Sequence, residues 1–271
     1  MTGSNMQYTR YDPGRYLADA STAARRGEKE YAGLARLLGP NRRQRILEVG
    51  CGSGSLLVAL RGRGYQNCRG IELDAETVQR VRDVQGVDVA QGDWRRYLEG
   101  CDELFDAIIA LDVFEHLSSE ELLPTLAATR RRLAPGGRLI FRTCNPLCPF
   151  VLPTFCGDAS HRFLGTPRLI EHLLREADFT GPIRVEETRP SGRLKGVLFA
   201  LLHRLLVKPA FGLLYYHFHG EFPAVLTPNM IVCAEATAIF PLPHCGLHGS
   251  HSARVRPVGE TARGSDGRRT S

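Results

Sequence analysis

Lysine is scarce in this chain of 271 residues. Three of its 35 basic residues are lysines (Lys29, Lys195 and Lys208), and the others are arginines. We interpret this bias as the mark of a GC-rich coding sequence rather than of a binding surface. No stripe of alternating basic and aromatic residues is present, and the formal net charge is only +6. The composition therefore predicts no nucleic-acid partner.

Close cysteine pairs are also absent. The eight cysteines are scattered, and Cys144, Cys148 and Cys156 lack the C-x-x-C spacing of a structural zinc site. Residues 1–15 are polar and contain no apolar core of a secretory signal. Scattered thiols without a disulfide framework are typical of a reducing compartment. We therefore expect free thiols and a cytoplasmic location.

A long uninterrupted apolar run is missing as well. Residues 194–219 come nearest to one, but His203, Arg204, Lys208 and Pro209 interrupt them, which argues against a transmembrane helix. Two interpretations of this segment stay open. It forms a helical lid packed over a cleft, or it forms an apolar surface with basic edges that makes a peripheral contact with a membrane or a lipid-like substrate.

The remaining composition is that of a soluble globular protein. Hydrophobic residues make up 43% and charged residues 24% of the chain, which allows a sizeable core. We divide the chain into an N-terminal arm and helix (1–44), a central domain (45–240) and a tail (241–271). Within the central domain, residues 145–220 supply the substrate-side loop, helices and lid. The tail has few apolar residues, so we predict that it is disordered.

Residues 46–55 are the most informative segment. They form a short apolar strand that runs into a turn containing Gly50, Gly52 and Gly54. Glycines remove Cβ atoms where a backbone turns sharply and a ligand lies close. The helix that follows points its N-terminus at that ligand, as at the nucleotide site of a doubly wound sheet. The spacing is G-x-G-x-G, whereas dinucleotide-binding folds use G-x-G-x-x-G.

Further strands and helices are predicted after this turn. Strands are expected within residues 68–72, 87–94, 105–117 and 133–141, with a last one near 229–238. The capping box that begins at Ser118 predicts a helix that ends near Leu133. Thr166 and Pro167 predict the start of another helix, whose apolar face comprises Leu169, Ile170, Leu173 and Leu174. Strands that alternate with helices indicate an α/β fold with a parallel sheet.

These strand segments, in this order and spacing, resemble the class I S-adenosylmethionine-dependent methyltransferases over residues 30–180. Residues 112–117 and 160–167 resemble the group that includes the ubiquinone-pathway O-methyltransferases. The resemblance implies a Rossmann-like, doubly wound, seven-stranded sheet with helices on both faces. It also implies an N-terminal helical arm and a C-terminal helical lid.

The resemblance also implies a set of residues that bind S-adenosylmethionine. Glu72 lies 22 positions after Gly50, where doubly wound folds place a carboxylate on ribose hydroxyls. By resemblance, Asp93 binds the adenine amino group, Trp94 supplies its amide or ring, and Asp112 lies near the methionine part. The predicted cofactor-binding residues are Gly50, Gly52, Gly54, Glu72, Asp93, Trp94 and Asp112.

The sequence leaves the roles of the residues on the acceptor side more open. A hydroxyl acceptor must lose a proton, and His161 and His116 are the predicted catalytic residues. One interpretation is a divalent-metal site, with Mg²⁺ held by Asp112, Glu115, His116 and His161, because a metal would lower the acceptor's pKa. A second is a metal-free histidine base, and a third is that Glu115 and His116 only pack.

We expect a methyltransferase that acts on a hydroxyl or amine of a small acceptor, apolar or lipid-linked. Two alternatives stay open. One is a catalytically silent protein of the same fold that binds at a membrane surface. The other is a dinucleotide-dependent oxidoreductase, against which the glycine spacing and the Asp93–Trp94 pair argue. The sequence does not identify the acceptor.

Overall fold

One seven-stranded sheet forms the centre of the molecule. The computed structural model describes residues 20–188 and 193–237. The strand order is β3-β2-β1-β4-β5-β7-β6. The strands from β1 to β5 pair in parallel, while β7 runs antiparallel to both β5 and β6. The strands are β1 (Arg45–Val49), β2 (Asn67–Glu72), β3 (Val89–Gln91), β4 (Phe105–Leu111), β5 (Leu133–Cys144), β6 (Ile183–Glu187) and β7 (Asn229–Glu235). The predicted fold class is confirmed.

Helices cover both faces of the sheet. Alternate residues of β4 belong to different cores: Ile108 and Ala110 to one, Ala107 and Ile109 to the other. A parallel sheet needs this double cover because both of its faces are apolar. The helices are α1 (Ala20–Leu38), α2 (Ser55–Gly62), α3 (Ala75–Gln85), α4 (Trp94–Gly100), α5 (Ser119–Arg131), α6 (Val151–Phe155), α7 (Pro167–Glu176), α8 (Arg193–Leu202) and α9 (Lys208–His219).

Local capping places two helices where the sequence predicted them. The Ser118 N–H donates to the Glu121 carboxylate at 2.9 Å at the start of α5. The Thr166 hydroxyl accepts the Leu169 N–H at 3.2 Å at the start of α7. Side-chain acceptors of this kind satisfy amides that have no partner within the helix.

Three details differ from the expectations. Helix α5 ends at Arg131, and β5 already begins at Leu133, with the pairing to β4 shifted between Phe105 and Ala107. A bulge therefore absorbs the Pro-Gly-Gly sequence within the strand. The substrate-side loop contains the short helix α6. Leu169, expected on the apolar face of α7, is 42% exposed.

The expected lid is helical, but most of it faces solvent. Helices α8 and α9 are joined by a π-helical turn at His203–Val207. Among the described residues, the stretch Gly196–His219 is the one helix long and apolar enough to cross a membrane, and 11% of its most apolar window is buried. The predicted N-terminal arm before residue 20 and the predicted tail lie outside the described residues.

Candidate active site

The glycine turn joins β1 to α2. Gly50, Gly52 and Gly54 all have positive φ, at 63°, 48° and 67°. A Cβ on Gly50 would lie 2.8 Å from Val113 Cγ2, and one on Gly54 would lie 2.7 Å from Val81 Cγ1. Both the backbone conformation and the packing therefore require glycine. The turn leaves the N-terminal amides of α2 at the carboxyl edge of the sheet, where ligands bind in doubly wound folds.

Glu72 lies at the end of β2, beside this turn. Its Oε2 accepts the Gly52 N–H at 2.9 Å, and its Oε1 accepts the Leu73 N–H at 2.8 Å. Main-chain donors on two different segments thus fix the orientation of the carboxylate. The position predicted for a ribose acceptor therefore carries a carboxylate held against the glycine turn.

Asp93 and Trp94 start α4 after β3. The Asp93 carboxylate accepts the Arg95 main-chain N–H at 2.9 Å and pairs with the Arg95 guanidinium at 3.0 Å. Burial raises the pKa of Asp93, but the hydrogen bonds from Arg95 outweigh burial, so the pKa lies below its usual value. The Trp94 ring packs edge-on against Phe114, with centroids 6.0 Å apart. Arg95 is a partner that the sequence did not predict.

A partly buried ionic network lies at the carboxyl end of β4 and was not predicted. Arg142 of β5 donates Nε to Asp112 Oδ1 at 2.7 Å and Nη2 to Asp112 Oδ2 at 2.5 Å. Glu30 of α1 lies 3.9 Å from the same guanidinium. Asp112 has φ 57°, a left-handed conformation that is uncommon outside glycine. The predicted cofactor and metal residue Asp112 is therefore already held by an arginine.

Glu48 of β1 is the unusual member of this region. It is 3% exposed, and its Oε2 has no hydrogen-bond partner. Burial raises the pKa of Glu48 well above its usual value, and the nearby Glu30 and Glu72 carboxylates add to the shift. A buried acceptor without a partner is costly unless a ligand satisfies it. The sequence signal for Glu48 was a charged residue inside an apolar strand.

The two predicted catalytic histidines lie side by side. Their ring centroids are 4.8 Å apart. His116 Nδ1 lies 2.9 Å from Ser160 Oγ, and Ser160 Oγ lies 2.5 Å from Asp158 Oδ1. His161 Nδ1 lies 2.8 Å from the Phe155 carbonyl oxygen. One ligand atom each from His116, Asp158 and His161 lie within 4.8 Å of one another.

Backbone hydrogen bonds explain how residues so distant in sequence meet. The Glu115 carbonyl oxygen accepts the Arg162 N–H at 2.7 Å and the Phe163 N–H at 3.0 Å. Because His116 follows Glu115 and His161 precedes Arg162, these bonds set the two histidines next to each other.

Glu115 itself does not join the histidine cluster. Its side chain is 2% exposed, and Oε2 has no partner. Burial, with the Asp112 charge as a second cause, raises the pKa of Glu115 to about 8. Of the predicted metal set, the structure therefore brings together His116 and His161, with Asp158 in addition. The carboxylates of Asp112 and Glu115 lie outside this cluster.

Comparisons with known proteins agree with this architecture. Residues 21–181, more than half of the chain, match the family model described as a methyltransferase domain. The ribosomal protein L11 methyltransferase of Chromohalobacter salexigens is 38% identical over 102 residues, which are 35% of this chain and 31% of that protein. The ubiquinone biosynthesis O-methyltransferase of Alkalilimnicola ehrlichii is 31% identical over 118 residues, which are 41% of this chain and 46% of that protein. The chain thus matches less than half the length of these curated relatives.

A solved structure extends the match in three dimensions. The crystal structure of a SAM-dependent methyltransferase from Archaeoglobus fulgidus superimposes with a TM-score of 0.58 at 18% identity, covering 77% of this chain and 94% of that one. At this identity the likeness shows the fold. Together with the family match, it confirms the resemblance seen in the motifs: the chain belongs to the methyltransferase-domain family of class I S-adenosylmethionine-dependent methyltransferases.

Proposed function

We propose that the chain transfers a methyl group from S-adenosylmethionine to a hydroxyl of a small, apolar or lipid-linked acceptor. The observation that carries this proposal is the relay from Asp158 through Ser160 to His116. His116 lies on the loop after β4, which also contacts the glycine turn through Val113, whereas Ser160 and Asp158 lie on the loop after α6. A base is thus available beside the cofactor turn.

The residues at the turn fit S-adenosylmethionine. The unpartnered Glu48 oxygen is a buried acceptor suited to an ammonium group, and Glu72 offers a carboxylate suited to paired hydroxyls. The glycines allow the left-handed turn, while Val113 and Val81 fill the space where Cβ atoms on Gly50 and Gly54 would lie. When bound, the cofactor supplies a methyl group that is already activated by its sulfonium. The protein then contributes mainly position and orientation.

The hydrogen-bond pattern fixes which nitrogen of His116 can act as the base. A carboxylate only accepts hydrogen bonds, so the Ser160 hydroxyl hydrogen points to Asp158. Ser160 Oγ must then accept the hydrogen of His116 Nδ1. That tautomer leaves the lone pair on Nε2. Burial, followed by the neighbouring His161, lowers the pKa of His116 below its usual value, so the imidazole is neutral at neutral pH and can take a proton.

The cluster does not fit Mg²⁺. Magnesium prefers oxygen ligands in an octahedral arrangement, whereas this cluster offers two imidazoles and one carboxylate. The Asp158 carboxylate and His116 Nδ1 are also both engaged by Ser160. The carboxylates of Asp112 and Glu115, which would have supplied the oxygen ligands, lie outside the cluster. We therefore favour the metal-free base over the magnesium site.

The surroundings of His161 support an apolar acceptor. The Phe155 ring lies with its centroid 5.4 Å from that of His161, and Phe155 packs with Leu164 against a small apolar cluster. A polar acceptor such as a peptide or RNA would find few hydrogen-bond partners among these side chains. One curated relative is named for ubiquinone biosynthesis, and the proposed acceptor class agrees with that name.

The test measures methyl transfer from labelled S-adenosylmethionine to three acceptors: a hydroxylated aromatic with an alkyl tail, the matching amine, and an RNA. We expect transfer to the hydroxyl compound. His116→Ala should lower turnover by about 10²–10⁴-fold, the usual worth of a general base, with unchanged cofactor affinity. His172→Ala is the matched control, because His172 is exposed on α7.

Other outcomes would contradict the proposal in distinct ways. Full turnover by His116→Ala would show that His116 is not the base. If EDTA abolishes the activity and added Mg²⁺ restores it, the magnesium site is correct and the metal-free base is wrong. Cofactor binding without transfer to any acceptor would favour the catalytically silent alternative, and transfer to RNA alone would move the chain to another acceptor class.

A further inference from the structure

The helix formed by residues 193–219 exposes an unusual amount of apolar surface. The stretch Gly196–His219 contains 24 residues, which span about 36 Å at 1.5 Å per residue. Monomeric soluble proteins rarely leave so large a contiguous apolar surface in water. The large hydrophobic residues exposed on this helix, each at least 46% accessible, are Leu194, Val197, Leu198, Leu201, Leu202, Leu205, Leu206, Leu213, Leu214, Tyr216 and Phe218.

The π-helical turn keeps this surface on one side. Each residue of an α-helix advances by about 100°, and a π-turn contains one residue more than the α-turn it replaces. The turn at His203–Val207 therefore sets α9 back by about 100° relative to α8. With this setback Leu201 and Leu205 face the same way as Leu213. His203, which is buried, lies on the opposite side.

Charge along the helix is of one sign. Residues 193–220 contain no aspartate or glutamate, and they include Arg193, Lys195, Arg204 and Lys208. A helix with a broad apolar face and only basic charges is suited to an anionic lipid surface. A second copy of this chain is a poor partner for the same face, because it would bring equal positive charge to the contact.

The middle of the helix is attached to the folded domain. Glu187, the last residue of β6, lies 3.1 Å from His203 Nε2 and 3.0 Å from Lys208 Nζ. A helix that crossed a bilayer would carry these two residues into the hydrocarbon, away from Glu187. The contacts therefore hold the helix side-on against the domain, with its leucines facing outward.

The substrate-side loop that contains α6, here called the acceptor-side loop, adjoins the same surface. The Phe150 ring packs edge-on against Phe211 of α9, with centroids 5.6 Å apart. Phe150 and Leu152 are 61% and 59% exposed. These residues lie at the start of α6, which ends at Phe155 and is followed by the segment that carries Asp158 and His161.

We propose that the 193–219 helix lies in the plane of an anionic bilayer and docks the chain there by its leucine face. Resting on the proposed function, this places the acceptor-side loop at the lipid surface, where an acceptor with an alkyl tail resides. The docking itself requires no methyl transfer, so the two proposals can fail separately.

The experiment uses the full chain and two kinds of vesicle, phosphatidylcholine alone and phosphatidylcholine with phosphatidylglycerol. We expect flotation with the anionic vesicles and release by high salt, because salt screens the basic residues. Leu201→Glu and Leu205→Glu should each reduce binding by about tenfold or more, since each leucine buries its side chain in lipid. Leu169→Glu is the matched control, an exposed leucine on α7.

Methyl transfer to a short-tailed, soluble acceptor is measured on the same variants, with thermal unfolding as a check of the fold. Unchanged transfer together with lost flotation supports the docking helix. Flotation that survives both leucine substitutions overturns it. Resistance to alkaline carbonate extraction would replace it with a spanning helix, and a dimer in solution that both substitutions dissociate would replace it with a contact between copies.

Discussion

Gly50→Ala tests the tightest contact of the cofactor turn. Gly50 has φ 63°, where an alanine costs about 1–2 kcal/mol relative to glycine. The new Cβ would also lie 2.8 Å from Val113 Cγ2, a distance that real Cβ atoms do not adopt. Overpacking of this kind costs about 1–3 kcal/mol. We therefore expect a loss of about 2–5 kcal/mol in the free energy of unfolding.

Gly64→Ala separates the two contributions. Gly64 has φ 87°, and a Cβ there would meet no heavy atom within 4 Å. It should lose only the conformational part, about 1–2 kcal/mol. The assay is urea unfolding, supported by melting temperatures that fall by about 2–4 °C per kcal/mol in a domain of this size.

Val113→Ala completes a double-mutant cycle with Gly50→Ala. The double variant Gly50→Ala with Val113→Ala removes the atom that the new Cβ meets, so it should recover most of the packing loss but none of the conformational loss. A coupling energy of about 0.5–3 kcal/mol is the range for residues in contact. Equal losses in Gly50→Ala and Gly64→Ala, or a coupling energy of zero, would refute the packing argument.

Three further predictions concern other parts of the chain. Glu72→Ala should weaken S-adenosylmethionine binding by about 1–3 kcal/mol in calorimetry, and unchanged affinity would remove Glu72 from the site. Glu115 has a pKa of about 8 against an ordinary 4.5, so protonation stabilises the fold below pH 4.5, and this stability is lost as pH rises to about 8. Glu115→Gln should therefore gain stability relative to the wild type across that window in urea unfolding, and a pH-independent difference would contradict the assignment. Removal of residues 241–271 should leave melting temperature and cofactor affinity unchanged, whereas a fall of many degrees would show that the tail belongs to the fold.

The sheet could be predicted where each strand is a buried apolar run. Strands β1 and β4 are largely buried apolar runs followed by Gly50 and Asp112, so that both their apolar content and their ends are visible in the sequence. Strand β6 (Ile183–Glu187) was not located, because it alternates apolar and charged residues at the sheet edge and is mostly half-buried. Edge strands need little apolar content, and local patterns identify them poorly.

Only part of the candidate site could be predicted from the sequence. The glycine turn and Glu72 depend on neighbours within one βα unit and its adjacent strand, so spacing sufficed to predict that they lie side by side. Arg142 could not be predicted, because its partners come from α1 and from the end of β4. Asp158 was missed because main-chain bonds to Glu115, more than forty residues earlier in the sequence, bring its loop to His116.

One short segment, residues 112–116, links the cofactor turn to the predicted base. Asp112 is held by Arg142 in a left-handed conformation, Val113 closes over Gly50, and a 3₁₀ turn then delivers His116 to Ser160. Left-handed backbone at a non-glycine residue costs about 1–3 kcal/mol and persists where its surroundings fix it.

A displacement of Val113 should therefore reach His116. Gly50→Ala should lower turnover beyond its effect on cofactor affinity, and Val113→Ala should restore part of that turnover together with the stability. Turnover that falls only as far as cofactor occupancy falls would show that the turn and the base are held independently.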